Sequence, residues 1–449
     1  MLFTGNSLAA VSADEARQLG TTLTEFGAEK AGNADGSIPA YTGGLKMDRG
    51  KGRSYADPFK NEKPLYTIDA SNVDKYASLL TQGTKAMIKR FPDTYKVHVY
   101  PTHRTVRYPS WVLENNIKNA TTAKLGGEFE GDNMIGADKK GLPFAGIPFP
   151  IPKTGYEVMW NHMLQIEPPV VNFACLALLV DTTGYASKFG GITHYHLHPW
   201  YEKSGEIREQ TNDALFGFSS TMKFPPSQAG THFLNLYMPN AAEGGQRVWF
   251  YTPGQRRVRR APEFAYDVPI ASYGGVFCWD EVFGFVGRMD RFDFKIIGRK
   301  EMIIPYNVFG ITNSATLDEQ AGVKHVNPST VRWEKHRVWV VDSTRKAGKR
   351  HVYSRRTFYI DEDSWAIAVS DSYDSAGKLW RITNLYLYPP YDAFGIINGT
   401  WSISDLAKGN YVVINTGRQE PGNFIKVYTD SAGLGIPLTP QAVAAGGVR

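Results

Sequence analysis

Three histidines alternate along one short segment, at His194, His196 and His198. Alternate side chains of an extended strand point to the same face, so three imidazoles at this spacing could bind one zinc, copper or nickel ion. No additional acidic residue or cysteine lies directly beside them to complete a ligand set. We therefore interpret the segment as a polar strand or loop at the rim of a sheet, and we expect no physiological metal and no other cofactor.

The acidic pairs and the familiar catalytic motifs do not indicate an enzyme. Asp280-Glu281 and Asp361-Glu-Asp363 could act as acid/base groups, but the second falls where a hairpin turn is expected, and acidic residues favour turns. Two Ser-x-x-Lys tetrads begin at Ser220 and Ser343, yet a Lys-Thr-Gly triplet precedes both, which reverses the order found in penicillin-binding enzymes. No nucleophile elbow, phosphate-binding loop, zinc-protease motif or Cys-x-x-Cys pair occurs. We expect no catalytic residues and no enzymatic activity.

A segment that is both aromatic and basic, at 247–262, has the most distinctive composition in the chain. Aromatic residues fill its first half, and the second half carries Arg256, Arg257, Arg259 and Arg260. Between the two halves, Pro253-Gly254 predicts the turn of a β-hairpin. Strand alternation would place Arg257 and Arg259 on one face, and Arg256 and Arg260 on the other. Part of the cluster could therefore contact an anionic headgroup or an acidic partner.

Bulky aromatic residues are concentrated in the same half of the chain, where seven of the ten tryptophans follow Gly245. Buried tryptophans are most often simple core residues, but so many on one sheet favour an apolar, ligand-holding concavity. Small side chains at Ala366 and Ala368 would leave room on the opposite face. The candidate cavity residues are Trp160, Trp249, Trp279, Phe283, Trp339, Trp365, Trp380 and Tyr386.

Helices and strands must position these groups, and the sequence predicts both. Helices are expected near 71–91, near 110–120 and at 154–166; the last is preceded by Pro-rich extended chain and opens with a Thr-x-x-Glu capping box at Thr154. From about Pro169 onward the pattern is that of strands. Phe292, Phe294 and Ile296 alternate with charged residues, and similar runs at 365–370 and 379–388 are separated by short turns.

These patterns predict an α+β fold. A large, curved antiparallel sheet, shaped as an open half-barrel and covered by helices, would occupy 151–449, with the helix at 154–166 across its mouth. Residues 14–150 would form a loop- and helix-rich N-terminal region that packs on the sheet. The first thirteen residues end in small side chains and resemble the cleavage end of a secretory signal, so we interpret 1–13 as a signal-peptide remnant.

Charge and cysteine content limit the partners of such a protein. The net charge is +6, and residues 245–356 alone carry 20 Lys and Arg against 11 Asp and Glu. This excess favours anionic partners such as a membrane surface or lipid headgroups, although solvated basic residues on sheet edges would account for it equally well. Two cysteines exclude a disulfide framework, and no apolar run is long enough to cross a bilayer. We expect no nucleic-acid partner.

Several long blocks resemble one protein family. Val99-Tyr-Pro-Thr-His-Arg104, Gly254-Gln-Arg-Arg-Val-Arg-Arg-Ala-Pro262 and Glu301-Met-Ile-Ile-Pro-Tyr-Asn307 are similar to blocks of the DUF1329 family. Further similar blocks lie at 57–64, 148–162, 336–341 and 355–365. The resemblance extends from about residue 20 to about residue 430. Members are exported by Gram-negative bacteria, and many are described as outer-membrane lipoprotein-sorting proteins because they resemble the LolA/LolB carriers.

The resemblance implies a periplasmic carrier with a LolA/LolB-like fold. Its cargo would be a lipid, a lipoprotein acyl chain or a sterol-like molecule moving between the inner and outer membranes. An RND-type exporter and a DUF1302-type outer-membrane protein would be its partners, with peripheral membrane contact. Two alternatives remain open. The chain could be a non-catalytic adaptor of an envelope export complex, or a periplasmic enzyme that acts on steroid or aromatic compounds.

Overall fold

One sheet dominates the computed structural model, which describes residues 11–50, 55–240, 245–261, 266–270, 274–416 and 425–446. Most of the proposed signal remnant lies outside these residues. The strands are β1 (Tyr66–Ile68), β2 (Val97–Val99), β3 (Lys124–Gly126), β4 (Asn133–Ile135), β5 (Val170–Val180), β6 (Ala186–Leu197), β7 (Phe216–Phe224), β8 (His232–Tyr237), β9 (Gln246–Thr252), β10 (Arg257–Arg260), β11 (Phe292–Pro305), β12 (Trp333–Arg345), β13 (Arg355–Asp361), β14 (Ile367–Tyr373), β15 (Leu379–Leu385), β16 (Trp401–Asp405), β17 (Asn410–Thr416) and β18 (Ile425–Tyr428).

Sixteen of these strands form a single curved, open sheet. Its order is β1-β2-β12-β13-β14-β15-β16-β17-β5-β6-β7-β8-β9-β10, with β11 also paired to β12 and β18 to β5, while β3 and β4 form a separate pair. Neighbours run antiparallel throughout, except that β2 lies parallel to β12 where Val99 meets Trp333. The predicted α+β fold with a large antiparallel sheet is confirmed. The N-terminal region does more than pack on the sheet, because it supplies β1 and β2.

Both faces of the sheet are buried. Along β17, Val412 and Ile414 belong to the larger apolar core, whereas Val413 between them belongs to a second core. Since successive side chains of a strand point to opposite faces, the two cores lie on opposite sides of the sheet. Helices cover both. The α-helices of the described residues are α1 (Ala13–Ala16), α2 (Gln82–Arg90), α3 (Ser110–Thr122), α4 (Gly155–Met163), α5 (Glu206–Gln210), α6 (Leu317–Gln320) and α7 (Pro440–Gly446).

Helix α4 begins where its sequence predicts. The Thr154 hydroxyl accepts a hydrogen bond from the backbone N–H of Glu157, and the Glu157 carboxylate accepts one from the backbone N–H of Thr154, which completes the capping box. The helix ends at Met163, three residues earlier than predicted, and Leu164 has left helical geometry. All of its side chains are buried, and it packs against β11 and β12.

Three other predictions need correction. The helix expected near 71–91 is two elements, a 3₁₀ helix at Val73–Leu79 and α2, because the Thr81 side chain caps a new helix there. Trp365 lies outside β14, in a turn with φ of 59°, and its indole donates to the carbonyl of Phe26. Ala366 and Ala368 are fully buried in the core and leave no open room. The helix near 110–120 is confirmed as α3.

A buried network of charges joins the N-terminal region to the sheet. The Arg104 guanidinium donates two hydrogen bonds to Asp363, at 2.6 and 2.8 Å. The ring nitrogens of His336 lie 3.1 Å from Asp361 and 3.2 Å from Glu334. Burial opposes protonation of His336, but the hydrogen bonds to Asp361 and Glu334 outweigh it and raise its pKa to about 9. The imidazolium therefore holds two buried carboxylates together.

The raised pKa of His336 predicts a specific dependence of stability on pH. Its pKa is about 6.5 in the unfolded chain, so the stability that it contributes is complete below pH 6.5 and is lost as the pH rises through 9. The shift corresponds to about 3 kcal/mol. Urea unfolding of wild type and His336→Asn should show a free-energy difference that is large at pH 6 and shrinks towards pH 9. A difference that stays constant across this range would contradict an imidazolium at His336.

Candidate ligand-binding site

A row of side chains crosses four adjacent strands and forms the floor of a cavity. His194 of β6 pairs in register with Ser220 of β7, Ser220 with Phe233 of β8, and Phe233 with Phe250 of β9. Directly paired residues lie on the same face of a sheet, so these side chains lie side by side. Phe218, two residues from Ser220 on β7, continues the same face.

The cavity has a volume of about 160 Å³ and is bounded by apolar side chains. Its roof comes from the segment 266–270 and 274–289, hereafter the roof loop, and from β16 and β17. The lining residues are Ile192, His194, Phe218, Met222, Gln228, Thr231, Phe233, Phe250, Ile270, Phe277, Trp279, Val282, Phe283, Trp401 and Ile414. The exposed side chain of Gln228 places the open side of the cavity next to β7.

Two buried acids hold the roof loop on the sheet. The Asp280 carboxylate accepts hydrogen bonds from Arg356 at 2.9 Å and from His351 at 3.0 Å. Burial opposes the ionisation of Asp280, but the guanidinium of Arg356 and the ring of His351 outweigh it and hold the pKa of this carboxyl below its usual range. Glu281 accepts a hydrogen bond from Tyr353 at 2.8 Å. This acidic pair therefore has a structural role: it fixes the wall of the cavity.

One titratable side chain is found among the described lining residues. The Nδ1 atom of His194 lies 2.6 Å from the hydroxyl of Ser220, and its Nε2 atom has no hydrogen-bond partner within the described part of the chain. Burial lowers the pKa of His194 well below its usual value, so the ring is neutral. The cavity thus offers an uncharged apolar surface with a few polar atoms, which is the usual chemistry of a binding pocket.

The hairpin of β9 and β10, hereafter the arginine hairpin, begins at the edge of this cavity. Strands β9 and β10 pair so that Arg259 is opposite Phe250 and Arg257 is opposite Thr252, while Arg260 is opposite Trp249. Arg257 and Arg259 therefore share the face of the cavity residue Phe250, as the alternation predicts. Arg260 lies on the other face. Arg256 is in the turn, with φ of 47°, rather than on the strand.

The other face of the hairpin is covered. Trp249 and Val258 pack with Tyr251 and with Val443 of α7. Trp249, a candidate cavity residue, thus faces α7 instead of the cavity. The side chains of the four arginines are exposed, and no ion pair or side-chain hydrogen bond to them is found within the described ranges. Two of them, Arg257 and Arg259, form an exposed basic rim beside the apolar cavity.

The structure distributes the predicted cavity aromatics over several places. Trp279 and Phe283 line the 160 Å³ cavity. Trp160 and Trp279 line a smaller space of about 40 Å³, which is what remains of the ligand site expected between the sheet and α4. Tyr386 borders a space of about 20 Å³ near α2. The main cavity therefore lies under the roof loop, away from α4.

Three tryptophans serve the core or its edge. Trp365 is fully buried, and its ring stacks on that of Trp339 with centroids 6.1 Å apart. Trp380 donates to Asp405 at 3.0 Å. Sequence reasoning missed other lining residues, chiefly Phe218, Phe233, Phe250, Phe277 and Trp401. Phe250 lies inside the segment singled out by its composition, but Phe218, Phe233 and Trp401 become neighbours only through the folding of the sheet, and Phe277 only through the roof loop.

Among the described residues, two clusters of histidines and acids could hold a metal ion. One comprises His336, Asp361 and Asp363, and the other Glu167, His196 and His198. The first is satisfied internally, because His336 bridges two carboxylates and Arg104 binds Asp363. In the second cluster, Glu167 has no arginine or lysine partner among the described residues. Burial lowers the pKa of His196 and of His198 to about 3, so both rings are neutral, which is the form that binds metals.

The model of the family described as protein of unknown function, DUF1329, matches residues 67–443. This range contains the whole cavity, the roof loop and the arginine hairpin. The chain belongs to the DUF1329 family. An uncharacterized protein of Pseudomonas aeruginosa is 38% identical over 450 residues, which cover 98% of this chain and 95% of that protein. The predicted membership is confirmed.

Two solved structures show more distant similarity. A DUF1329 family protein of Desulfovibrio piger is 14% identical, covers 59% of this chain and 90% of its own, and has a TM-score of 0.39. A Vibrio parahaemolyticus domain named for outer-membrane lipoprotein sorting is 13% identical, covers 64% and 97%, and has a TM-score of 0.41. At this distance the two structures carry no functional inference.

The cavity should bind a small apolar molecule without any charged contact. An apolar cavity of about 150 Å³ can hold benzene. Benzene at ten times its Kd should raise the free energy of unfolding by about 1.4 kcal/mol. Met222→Trp should fill the cavity and remove this increase, at an overpacking cost of about 1–3 kcal/mol. Met222→Leu conserves volume and should respond as wild type does. A folded Trp variant that responds equally would show that benzene binds elsewhere.

Proposed function

We propose that this protein is a carrier that binds the apolar part of an amphipathic ligand in the 160 Å³ cavity and the anionic end of that ligand at Arg257 and Arg259. The observation that carries the proposal is the register of β9 and β10, which puts Arg259 beside the cavity residue Phe250 on one face. Apolar and basic surfaces then meet at one edge, as an amphipathic ligand requires.

The free energies of binding indicate why the ligand needs both the apolar cavity and the arginines. A ring-sized group buries roughly 150–250 Å², which stabilises the complex by about 4–6 kcal/mol at ~25 cal/mol per Å². Association costs about 4–15 kcal/mol in lost freedom. The cavity alone therefore gives weak binding. Contact with the arginines, or a chain that continues along the exposed aromatic edge, supplies the remainder.

The lining of the cavity favours binding over catalysis. His194 is neutral, and no carboxylate or lysine lines the cavity among the described residues. An acid/base pair for turnover of a steroid or aromatic compound would need two titratable groups in reach of the ligand. The adaptor alternative requires a sheet concavity filled by its own side chains, and the open volume under the roof loop speaks against it.

A carrier of this kind would work in the periplasm. Within the part of the chain that the structure describes, no helix is long and apolar enough to cross a membrane. The ligand would be a lipid, a lipoprotein acyl chain or a sterol-like molecule that moves between the inner and outer membranes. An RND-type transporter and a DUF1302-type outer-membrane protein remain the predicted partners, and affinity purification from envelope extracts would test them.

Native mass spectrometry of protein exported to the periplasm, followed by solvent extraction and lipid analysis, tests the proposal directly. A stoichiometric lipid or sterol that copurifies would support a carrier and identify the class of its cargo. An apo mass with no uptake from added lipids would overturn the carrier and favour the adaptor. Chemical change in a bound ligand during incubation would favour the enzyme.

If Arg257 and Arg259 bind the anionic end of the ligand, the affinity should depend on the face of the hairpin that an arginine occupies and on the salt concentration. Octyl phosphate, titrated calorimetrically at low ionic strength, should bind Arg257→Ala/Arg259→Ala about 2- to 30-fold more weakly than wild type, since each exposed ion pair contributes about 0.2–1 kcal/mol. The difference should shrink at high salt because salt screens exposed charges. Octanol, which lacks the anionic group, should bind both proteins equally.

Arg260→Ala is the matched control for this experiment. Arg260 has the same charge and lies on the same strand, but it faces away from the cavity. Its removal should leave the affinity for octyl phosphate nearly unchanged. If Arg260→Ala weakens binding as much as the double variant, the arginines act through general positive charge and do not form a rim for the ligand.

A further inference from the structure

Strand pairing brings Glu167 to the two histidines at the end of β6. Val170 and Val171, at the start of β5, pair with Leu197 and His196. The backbone N–H of His198 donates to the carbonyl of Pro169 at 2.8 Å, so the chain just before β5 lies against the end of β6. Glu167, His196 and His198 are all nearly inaccessible, with 1%, 2% and 3% of their surface exposed.

The spacing of their polar atoms matches that of ligands around one ion. The Oε2 atom of Glu167 lies 3.4 Å from Nδ1 of His196 and 3.7 Å from Nδ1 of His198. Zinc binds imidazole nitrogen and carboxylate oxygen at about 2.0–2.2 Å, so two tetrahedral ligands stand about 3.4 Å apart. The rings of His196 and His198 are 4.3 Å apart between centroids, close enough to serve the same ion.

Two of the three atoms that face one another have no hydrogen-bond partner. Within the described residues, Oε2 of Glu167 and Nδ1 of His198 make no hydrogen bond, although both are buried. The remaining atoms are held in place: the amide of Gln165 donates to Oε1 of Glu167, and the ring of His198 bonds to the backbone of Pro168. Glu167 and His198 thus have the fixed far atoms that are typical of metal ligands, whereas Nε2 of His196 has no hydrogen-bond partner in the described ranges and its ring is held by stacking on Phe283.

A buried carboxylate without a cationic partner needs an explanation. No lysine or arginine pairs with Glu167 in the described ranges. The cluster around His336 shows how this protein satisfies buried acids elsewhere, with hydrogen bonds from an imidazolium to Asp361 and Glu334 and two more from Arg104 to Asp363. Buried acids are paired with a cation, coordinated to a metal or left neutral, and Glu167 has no cationic pair among the described residues.

We propose that Glu167, His196 and His198 bind one divalent transition-metal ion. Two imidazoles and one carboxylate suit zinc and iron(II), whereas magnesium and calcium prefer oxygen ligands alone. The site lies behind the cavity wall, because the ring of His196 stacks on that of Phe283 with centroids 4.3 Å apart. The ion would therefore fix the wall of the cavity from behind. Sequence reasoning considered the histidines but missed Glu167, which precedes them by about thirty residues.

Metal content of the full chain, expressed without a polyhistidine tag, tests this proposal. Apo protein prepared with a chelator and dialysed against zinc should retain about one ion per chain, measured by mass spectrometry of the elements. Glu167→Gln and His198→Asn should each bind zinc at least about 100-fold more weakly in competition with a chromophoric chelator, since even residues outside the ligand set change affinity by about 10- to 100-fold.

His232→Asn is the matched control. His232 is also a buried histidine of the sheet, but its ring hydrogen-bonds to Ser219 and Thr221. This variant should retain zinc as wild type does. Wild type that retains no zinc, iron(II) or cobalt(II) overturns the proposal. So does undiminished zinc affinity in the two ligand variants, because the ion must then bind elsewhere.

A measurement on wild type alone covers the case in which the ligand variants do not fold. Cobalt(II) should give the visible absorption of a site with nitrogen and oxygen ligands, and X-ray absorption should show scattering from two imidazoles. A visible spectrum of hexaaqua cobalt(II), or an X-ray absorption spectrum without imidazole scattering, would overturn the proposed site.

Discussion

The buried ion pairs of Asp280 with Arg356 and of Glu281 with Arg381 determine where the roof loop lies, and both candidate sites depend on that loop. Arg356 binds Asp280 and also donates to the carbonyl of Gly284, so it holds both ends of the short turn between them. Phe283, inside this turn, has φ of 53°, a left-handed conformation that a bulky residue adopts when its surroundings impose it. The contacts of Arg356 with Asp280 and Gly284, on either side of Phe283, provide those surroundings and are called the clamp below.

Phe283 then serves two surfaces at once. Its ring lines the apolar cavity and stacks on His196, one of the proposed metal ligands. Trp401 meets it edge-on, with centroids 5.2 Å apart, from β16, which also contributes to the roof of the cavity. The position of one aromatic ring is thus set by the ion pairs at Asp280, by the strand that carries Trp401 and by the histidine cluster. A metal ion bound at His196 would therefore influence the cavity wall through the position of this ring.

Sequence patterns predicted those features that depend on near neighbours. The capping box at Thr154, the hairpin turn at Pro253 and the shared face of Arg257 and Arg259 follow from spacings of two to four residues. Single-sequence patterns could not reveal that β5 meets β17, or that Glu167 reaches His198, because these contacts depend on register between distant strands. The cavity is built almost entirely from such contacts. Trp365 was misplaced for a similar reason: its alternation with Ile367 reads as strand, but the hydrogen bond to Phe26 holds it in a turn.

The clamp also limits which ligands the cavity can accept. A ligand larger than a ring that extends under the roof loop, instead of out of the open side beside β7, must move that loop, and loss of one buried ion pair costs about 3–5 kcal/mol. Each additional buried methylene stabilises the complex by about 0.8 kcal/mol. Roughly four to six further methylenes are then needed to offset one broken pair. Under the roof loop, small apolar groups fit without moving it, intermediate ones gain too little to displace it, and long acyl chains gain enough. Selection by length would therefore follow from the ion pairs of Asp280 and Glu281, which do not themselves line the apolar cavity.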